Sequence, residues 1–138
     1  MADKVEFELV SPEKLLMSQP VDMVVVPGGE GNFGVLAGHA PMIATVRPGT
    51  IDVYEGDRVT DRIFIAGGFA EVTETRCTVL AEQAINVSEL DRGEVEQEIK
   101  DLGEDIEDAK SDVERATLEA RLVVARAKLE ALTGTAAV

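Results

Sequence analysis

Ala84-Ile85-Asn86-Val87-Ser88-Glu89-Leu90-Asp91-Arg92-Gly93-Glu94-Val95 is where the sequence changes character, and its two sides call for different backbones. Upstream of Ser88 lie nine of the 12 glycines and all five prolines. Between them run short segments rich in β-branched residues, at 5–10, 21–26, 42–46, 62–66, 69–73 and 78–81. Several alternate apolar with polar, as in Val5-Glu6-Phe7-Glu8-Leu9 and Val72-Thr73-Glu74, which turns one face of a strand toward a core. Turn residues separate the segments at intervals of about 8–12 residues, the spacing of a β-sandwich or barrel. Residues 1–87 therefore read as an all-β domain.

Downstream the period becomes helical. Val95, Ile99, Leu102, Ile106 and Ala109 step by four, three, four and three, one stripe of a helix whose other faces are charged. Ser88 with Asp91, and Ser111 with Glu114, have the spacing at which a hydroxyl caps an amide while a carboxyl favours the positive helix start. Two caps predict two helices, 89–110 and 112–132, joined too tightly for anything but an antiparallel αα-hairpin. Gly103 costs ~1 kcal/mol relative to Ala, so a break there stays open. Residues 88–138 read as a helix-turn-helix hairpin with a short flexible tail. Its second helix carries two rows. One is Leu118, Leu122, Ala125, Leu129 and Leu132; the other is Val113, Ala116, Ala120, Val124, Ala127 and Ala131. The first helix covers one row. The other packs on the β domain, or is exchanged for a surface on a partner.

The 138 residues carry a net charge of −14, which excludes nucleic acid and an anionic membrane surface as direct partners, since both require a basic footprint. The charge is uneven. Residues 88–112 hold three basic and 11 acidic residues, a balance of −8, whereas residues 113–138 hold four and three, a balance of +1. The nearly neutral last helix is thus the part suited to approach another surface. Cys77 is the single cysteine, so no intrachain disulfide or thiolate zinc site can form, and its expected role is structural burial. No stretch approaches the ~20 apolar residues of a spanning helix, and no basic-then-apolar leader opens the sequence. Work at a membrane, without direct insertion, would require another protein to hold the chain there.

Gly29-x-Gly31-x-x-Gly34 follows an apolar run and looks like a dinucleotide fingerprint. It fails in context, because Val35-Leu36-Ala37-Gly38-His39-Ala40-Pro41 places Gly and Pro where a helix would have to open toward a pyrophosphate. These glycines read instead as tight turns between strands. His39, the one histidine, lacks partners for a triad or a metal site and is expected to bond to backbone or to a partner. No catalytic residue, metal or cofactor is expected.

Val21-x-x-Val24-x-Val26-Pro27-Gly28-x-Glu30-Gly31-x-Phe33-Gly34-x-Leu36-x-Gly38-His39-Ala40-Pro41 closely resembles the epsilon subunit of bacterial F-type, proton-translocating ATP synthases. So do Val10-Ser11-Pro12-Glu13, Pro48-Gly49, Gly67-Gly68-Phe69-x-Glu71-Val72 and Thr78-Val79-Leu80-Ala81. The resemblance implies a sandwich of about ten strands followed by a C-terminal helical hairpin. It also implies a non-catalytic rotor subunit of the central stalk, peripheral at the cytoplasmic face of the bacterial inner membrane. Such a subunit holds gamma and rests on the ring of c subunits, so that proton-driven rotation reaches the catalytic sites. The family's contact residues fall here on Glu30, Gly31, Asn32, Phe33, His39, Ala40, Pro41 and Met42.

In many family members the hairpin folds down on the sandwich or extends along gamma, where it reaches alpha and beta and inhibits ATP hydrolysis. In some it binds ATP through Leu/Ile-Asp-x-x-Arg-Ala. This sequence reads Leu90-Asp91-Arg92-Gly93-Glu94-Val95, keeping Asp91 but placing Glu94 where the motif has Arg. A carboxylate repels a polyphosphate by about 1 kcal/mol per charge pair at ~4 Å even in water. A nucleotide site would therefore need Arg92, Arg121 or Arg126 beside Asp91. The alternative function is an ATP-sensing module whose hairpin closes on nucleotide.

Overall fold

The computed structural model describes residues 3–133, in which ten strands precede two helices. The strands are β1 (Val5–Val10), β2 (Leu15–Val21), β3 (Met23–Gly28), β4 (Gly31–Val35), β5 (Met42–Val46), β6 (Gly49–Glu55), β7 (Arg58–Ile65), β8 (Gly68–Val72), β9 (Arg76–Ala81) and β10 (Ala84–Asn86). A 3-10 turn, Val87–Glu89, leads to α1 (Arg92–Glu107) and α2 (Asp112–Thr133). Hydrogen bonding runs β10-β7-β6-β3-β5-β8-β9-β1-β2, with β4 paired to β3. One registered pair, Gly28 with Val46, joins β3 to β5, and there the path folds into two layers. Their inward residues, among them Val5, Phe7, Val24, Val26, Ile51, Val53, Ala70 and Val79, make a single core.

Six apolar segments account for β1, β3, β5, β7, β8 and β9. The other four strands lack such runs for different reasons. β2 is an edge strand, where Pro20 costs no ladder bond and half the residues meet water. β4 is glycine-rich and is held by its turn; β6 carries Thr50 and Asp52 among its apolar residues; β10 has three residues. Residues 21–26 are not one strand, because the backbone turns at Asp22. The Asp22 carboxylate accepts the Gly56 N–H and sits 3.5 Å from Lys4 Nζ, which also bonds Glu55 Oε2 at 2.7 Å. This holds the Asp22 carboxyl below its ordinary 3.8, mainly through the Gly56 N–H, and holds the Lys4 ammonium above its ordinary 10.5, mainly through Glu55.

The helix starts need one correction. α1 begins at Arg92 rather than 89, and its cap is Asp91, whose Oδ1 accepts the Glu94 N–H at 3.0 Å. Ser88 is taken up by Asn86, whose Oδ1 accepts both its N–H and its hydroxyl, so residues 87–89 close as a separate turn. Ser111 caps α2 as expected, its Oγ accepting from Glu114 N at 3.1 Å while the Glu114 carboxylate accepts from Lys110 N at 3.2 Å. α1 continues unbroken through Gly103, with Val95 and Leu102 buried before it, and ends at Glu107, three residues short of 110. The flexible tail expected at the end of the chain lies outside the described residues.

α2 lies on the outward face of the layer containing β6 and β7. Phe64 is fully buried there with Ala127 and Ala131, and Ile85, Val87, Leu90 and Val124 pack around them. The row of small residues is therefore divided. Its second half lies on the sheet, where small side chains permit a close approach, while Val113, Ala116 and Ala120 are exposed. No described helix is long and apolar enough to cross a membrane.

Candidate docking surface

β3 and β4 form a hairpin whose register closes at Gly28 with Gly31, leaving the two-residue turn Gly29-Glu30. No helix follows, so the glycine pattern is a strand turn. A Cβ at Gly28 would meet the Gly31 carbonyl oxygen at 2.7 Å and the Phe33 ring at 2.9 Å, so the close approach requires glycine. Gly29 N donates to Thr45 O and Arg47 N to Pro27 O, both at 2.9 Å, fastening the hairpin to β5. Glu30, Gly31, Phe33 and Met42 thereby surround one concavity of about 350 Å³, with Ile43 and Thr45 on its wall.

The other expected contact residues lie elsewhere. His39, Ala40 and Pro41 belong to the loop entering β5. Gly38, at φ +88°, donates its N–H to Glu74 O at 2.7 Å, and this ties the loop to the β8–β9 turn. His39 Nδ1 donates to Ala40 O at 2.7 Å, the backbone role expected of it. Asn32 faces a different cleft, of about 290 Å³, between the sheet and the end of α2. Its Oδ1 accepts from Arg47 Nη2 at 2.6 Å, and Arg47 Nη1 donates to Gly28 O. Asn32 thus braces the hairpin from behind.

The structure adds a feature the sequence reading missed. On the outward face of the β5-β8-β9-β1-β2 layer, the registers align Thr45, Phe69, Leu80, Val10 and Leu15 in one row across five strands. Phe69, Leu80 and Leu15 are each more than half exposed, and Ile43, one row away, is 75% exposed. At ~4.8 Å per strand the apolar part of the row, from Phe69 to Leu15, spans about 14 Å. Contiguous exposed apolar side chains on a rigid sheet mark an interaction site. The signal was available in Thr78-Val79-Leu80-Ala81, which does not alternate and so implies cover on both faces.

The hairpin residues do not converge. Asp91 lines a groove of about 570 Å³ beside α1 with Glu89, Glu94, Glu98, Asp101, Asp105 and one cation, Lys128. Arg92, Arg121 and Arg126 are exposed and do not line it; Arg121 borders a separate open groove with Ala116, Ala120 and Val124. Among the described residues no cluster of His, Cys, Asp and Glu is arranged to hold a metal ion. Cys77 is fully buried in the core, and burial pushes its thiol up to about 12, far from a reactive thiolate.

Comparison with known proteins places this geometry. Residues 4–87 match the family described as ATP synthase, Delta/Epsilon chain, beta-sandwich domain, and residues 91–138 match the family of the C-terminal domain of the ATP synthase epsilon chain. The ATP synthase epsilon chain of Rhodospirillum centenum is 67% identical over 94% of this chain and 92% of its own length. The protein of the same name from Paramagnetospirillum magneticum is 56% identical over 96% and 99%. A subunit in the cryo-EM structure of the Euglena gracilis mitochondrial ATP synthase, OSCP/F1/c-ring in rotational state 1, shares the fold with a TM-score of 0.84 at 23% identity, covering 97% of this chain and 84% of that one. With both of its parts matched in order and these relatives aligned over nearly their whole lengths, the chain belongs to the ATP synthase epsilon chain family.

Proposed function

We propose that this chain is a non-catalytic rotor subunit of the central stalk, which couples rotation of the c-ring through gamma to ATP synthesis at the cytoplasmic face of a bacterial inner membrane. The observation that carries the reading is the uncovered apolar row Phe69-Leu80-Val10-Leu15, beside the concavity edged by Glu30 and Met42. The row suits gamma, and the turn at Glu30 with the loop His39 to Met42 suits the ring. Both stand on hydrogen-bonded strands, so little conformational entropy is lost on docking and torque is passed on rather than absorbed. The test is co-purification of gamma and the c-ring with Phe69→Asp plus Leu80→Asp, and separately with Met42→Asp. A buried unpaired carboxylate should weaken assembly by roughly 2 kcal/mol or more while the isolated fold persists. Undiminished co-purification with the double variant would overturn the assigned face.

The division into a docking sandwich, residues 1–87, and a hairpin arm, residues 88–138, belongs to the same proposal. The arm would restrain ATP hydrolysis through the exposed part of α2, where Val113 and Val123 meet solvent, by contact with alpha and beta. Its groove is edged by carboxylates around Asp91, which weighs against a polyphosphate, so the arm is read as acting by docking rather than by sensing nucleotide. Micromolar ATP affinity in calorimetry of the isolated protein would reverse that preference.

A further inference from the structure

Asp52 is fully buried, a carboxylate removed from water beneath α2. The β6–β7 register sets Arg62 directly across from it, and Arg62 Nε donates to Asp52 Oδ1 at 3.3 Å. The same guanidinium extends Nη1 to the carbonyl oxygen of Ala131 at 3.2 Å. Ala131 lies in the last described turn of α2. Around this bond the sheet and helix meet through apolar side chains, Phe64 and Ile85 against Val124, Ala127 and Ala131. One planar fork therefore faces the sheet with one edge and the helix end with the other. We propose that Arg62 is a latch: it positions the last turn of α2 on the sheet and sets how readily the hairpin leaves it. This inference rests on reading the hairpin as a regulatory arm.

The division of partners is what makes the latch reversible. Asp52 and Arg62 sit on adjacent strands of one sheet, so the ion pair stays with the sheet wherever the hairpin goes. Lifting α2 breaks a bond between a guanidinium and a neutral carbonyl, and water can replace both sides of it. An ion pair spanning sheet and helix would instead leave a buried charge without its partner, a far larger penalty. The apolar residues supply adhesion that tolerates sliding, whereas the guanidinium fixes where the helix end sits. A lysine has a single nitrogen at its tip and lacks the planar fork whose separate edges face the sheet and the helix.

The experiment is thiol trapping on the full chain. Ala127 is 9% exposed, on the side of α2 that packs with Phe64 of the sheet, so a thiol introduced by Ala127→Cys reacts when the helix lifts. Cys77, fully buried in the core, reacts when the sandwich itself opens and reports global unfolding in the same molecule. Asp52→Asn with Arg62→Met removes the latch without stranding a charge; Arg62→Lys keeps a cation beside Asp52 and gives up the reach to Ala131. Both should speed labelling at position 127 about tenfold and leave Cys77 labelling unchanged. Unchanged labelling at 127 overturns the latch. Equal acceleration at 127 and Cys77 also overturns it, because the pair would then be supporting the sandwich alone. Faster labelling at 127 with unaltered ATP hydrolysis by the assembled complex upholds the latch and removes the regulatory reading instead.

Discussion

The two outward faces of the sandwich carry the same kind of residue and meet different fates. On the β10-β7-β6-β3 layer Phe64 points outward with Ile85 across the ladder, and α2 of the same chain buries it completely. On the β5-β8-β9-β1-β2 layer Phe69 points outward with Leu80 across the ladder, and the ring stays 55% exposed. An apolar side chain on the outer face of a sheet calls for a cover. In one case the chain supplies it; in the other the surface is left for a partner. Nothing local to either strand distinguishes them, and the distinction arises from which layer the hairpin can reach after β10.

The largest expected effect separates the two phenylalanines. Phe64→Ala should cost about 3–5 kcal/mol in denaturant unfolding, because it empties a closed contact, whereas Phe69→Ala should stay within about 0.5 kcal/mol. Equal losses would mean that the second face is also structural. Next, a chain ending at Asn86 has both faces bare. It should remain folded by near-UV circular dichroism and self-associate through the surface around Phe64; a molten fragment would show that Ala127 and Ala131 belong to the core of the sandwich.

A smaller contrast lies along α2. Ala127→Leu should destabilise by about 1–3 kcal/mol through overpacking, and Ala116→Leu, on the exposed half, should be nearly neutral. Thermal melting of the two variants checks this. The smallest effect is expected at Asp22, where the corner joining β2 to β3 ties the two layers. Its carboxyl lies below 3.8 in the folded chain, so the contribution is complete above that pH and is lost as pH falls through the folded value. Asp22→Asn should remove that contribution at neutral pH, leave stability below the folded value almost unchanged, and so flatten the acid limb of the stability profile. An unaltered acid limb would show that the corner does not depend on that charge.

Much of this organisation was legible in the sequence because it is local. The alternation in β1, the turn at Gly29-Glu30 and the cap at Ser111 each depend on neighbours a few positions away. Asp91 and Ser88 show the limit of that reading. Both had cap chemistry, and Asn86 decided between them by capturing Ser88. The strands β2 and β10 escaped notice because an edge position relaxes the demand for apolar residues. Within the candidate site, Glu30, Gly31, Phe33 and Met42 came together, yet Asn32 went to the opposite side through its bond to Arg47. Alternation in a strand sends neighbours to opposite faces, but what waits on the far face is set by a distant segment.

By itself, then, the sequence determined the β-then-α order, the hairpin, the glycine turns and the family. These follow from periodicities, caps and short motifs whose partners are nearby along the backbone. Tertiary structure alone decided that Phe64 is sealed while Phe69 and Leu80 stand open, and that the Arg62 opposite Asp52 also reaches Ala131, 69 residues away. Those outcomes depend on the folding of one sheet into two layers at Gly28 and Val46 and on where a helix then lands, and no local pattern encodes a meeting of such distant surfaces.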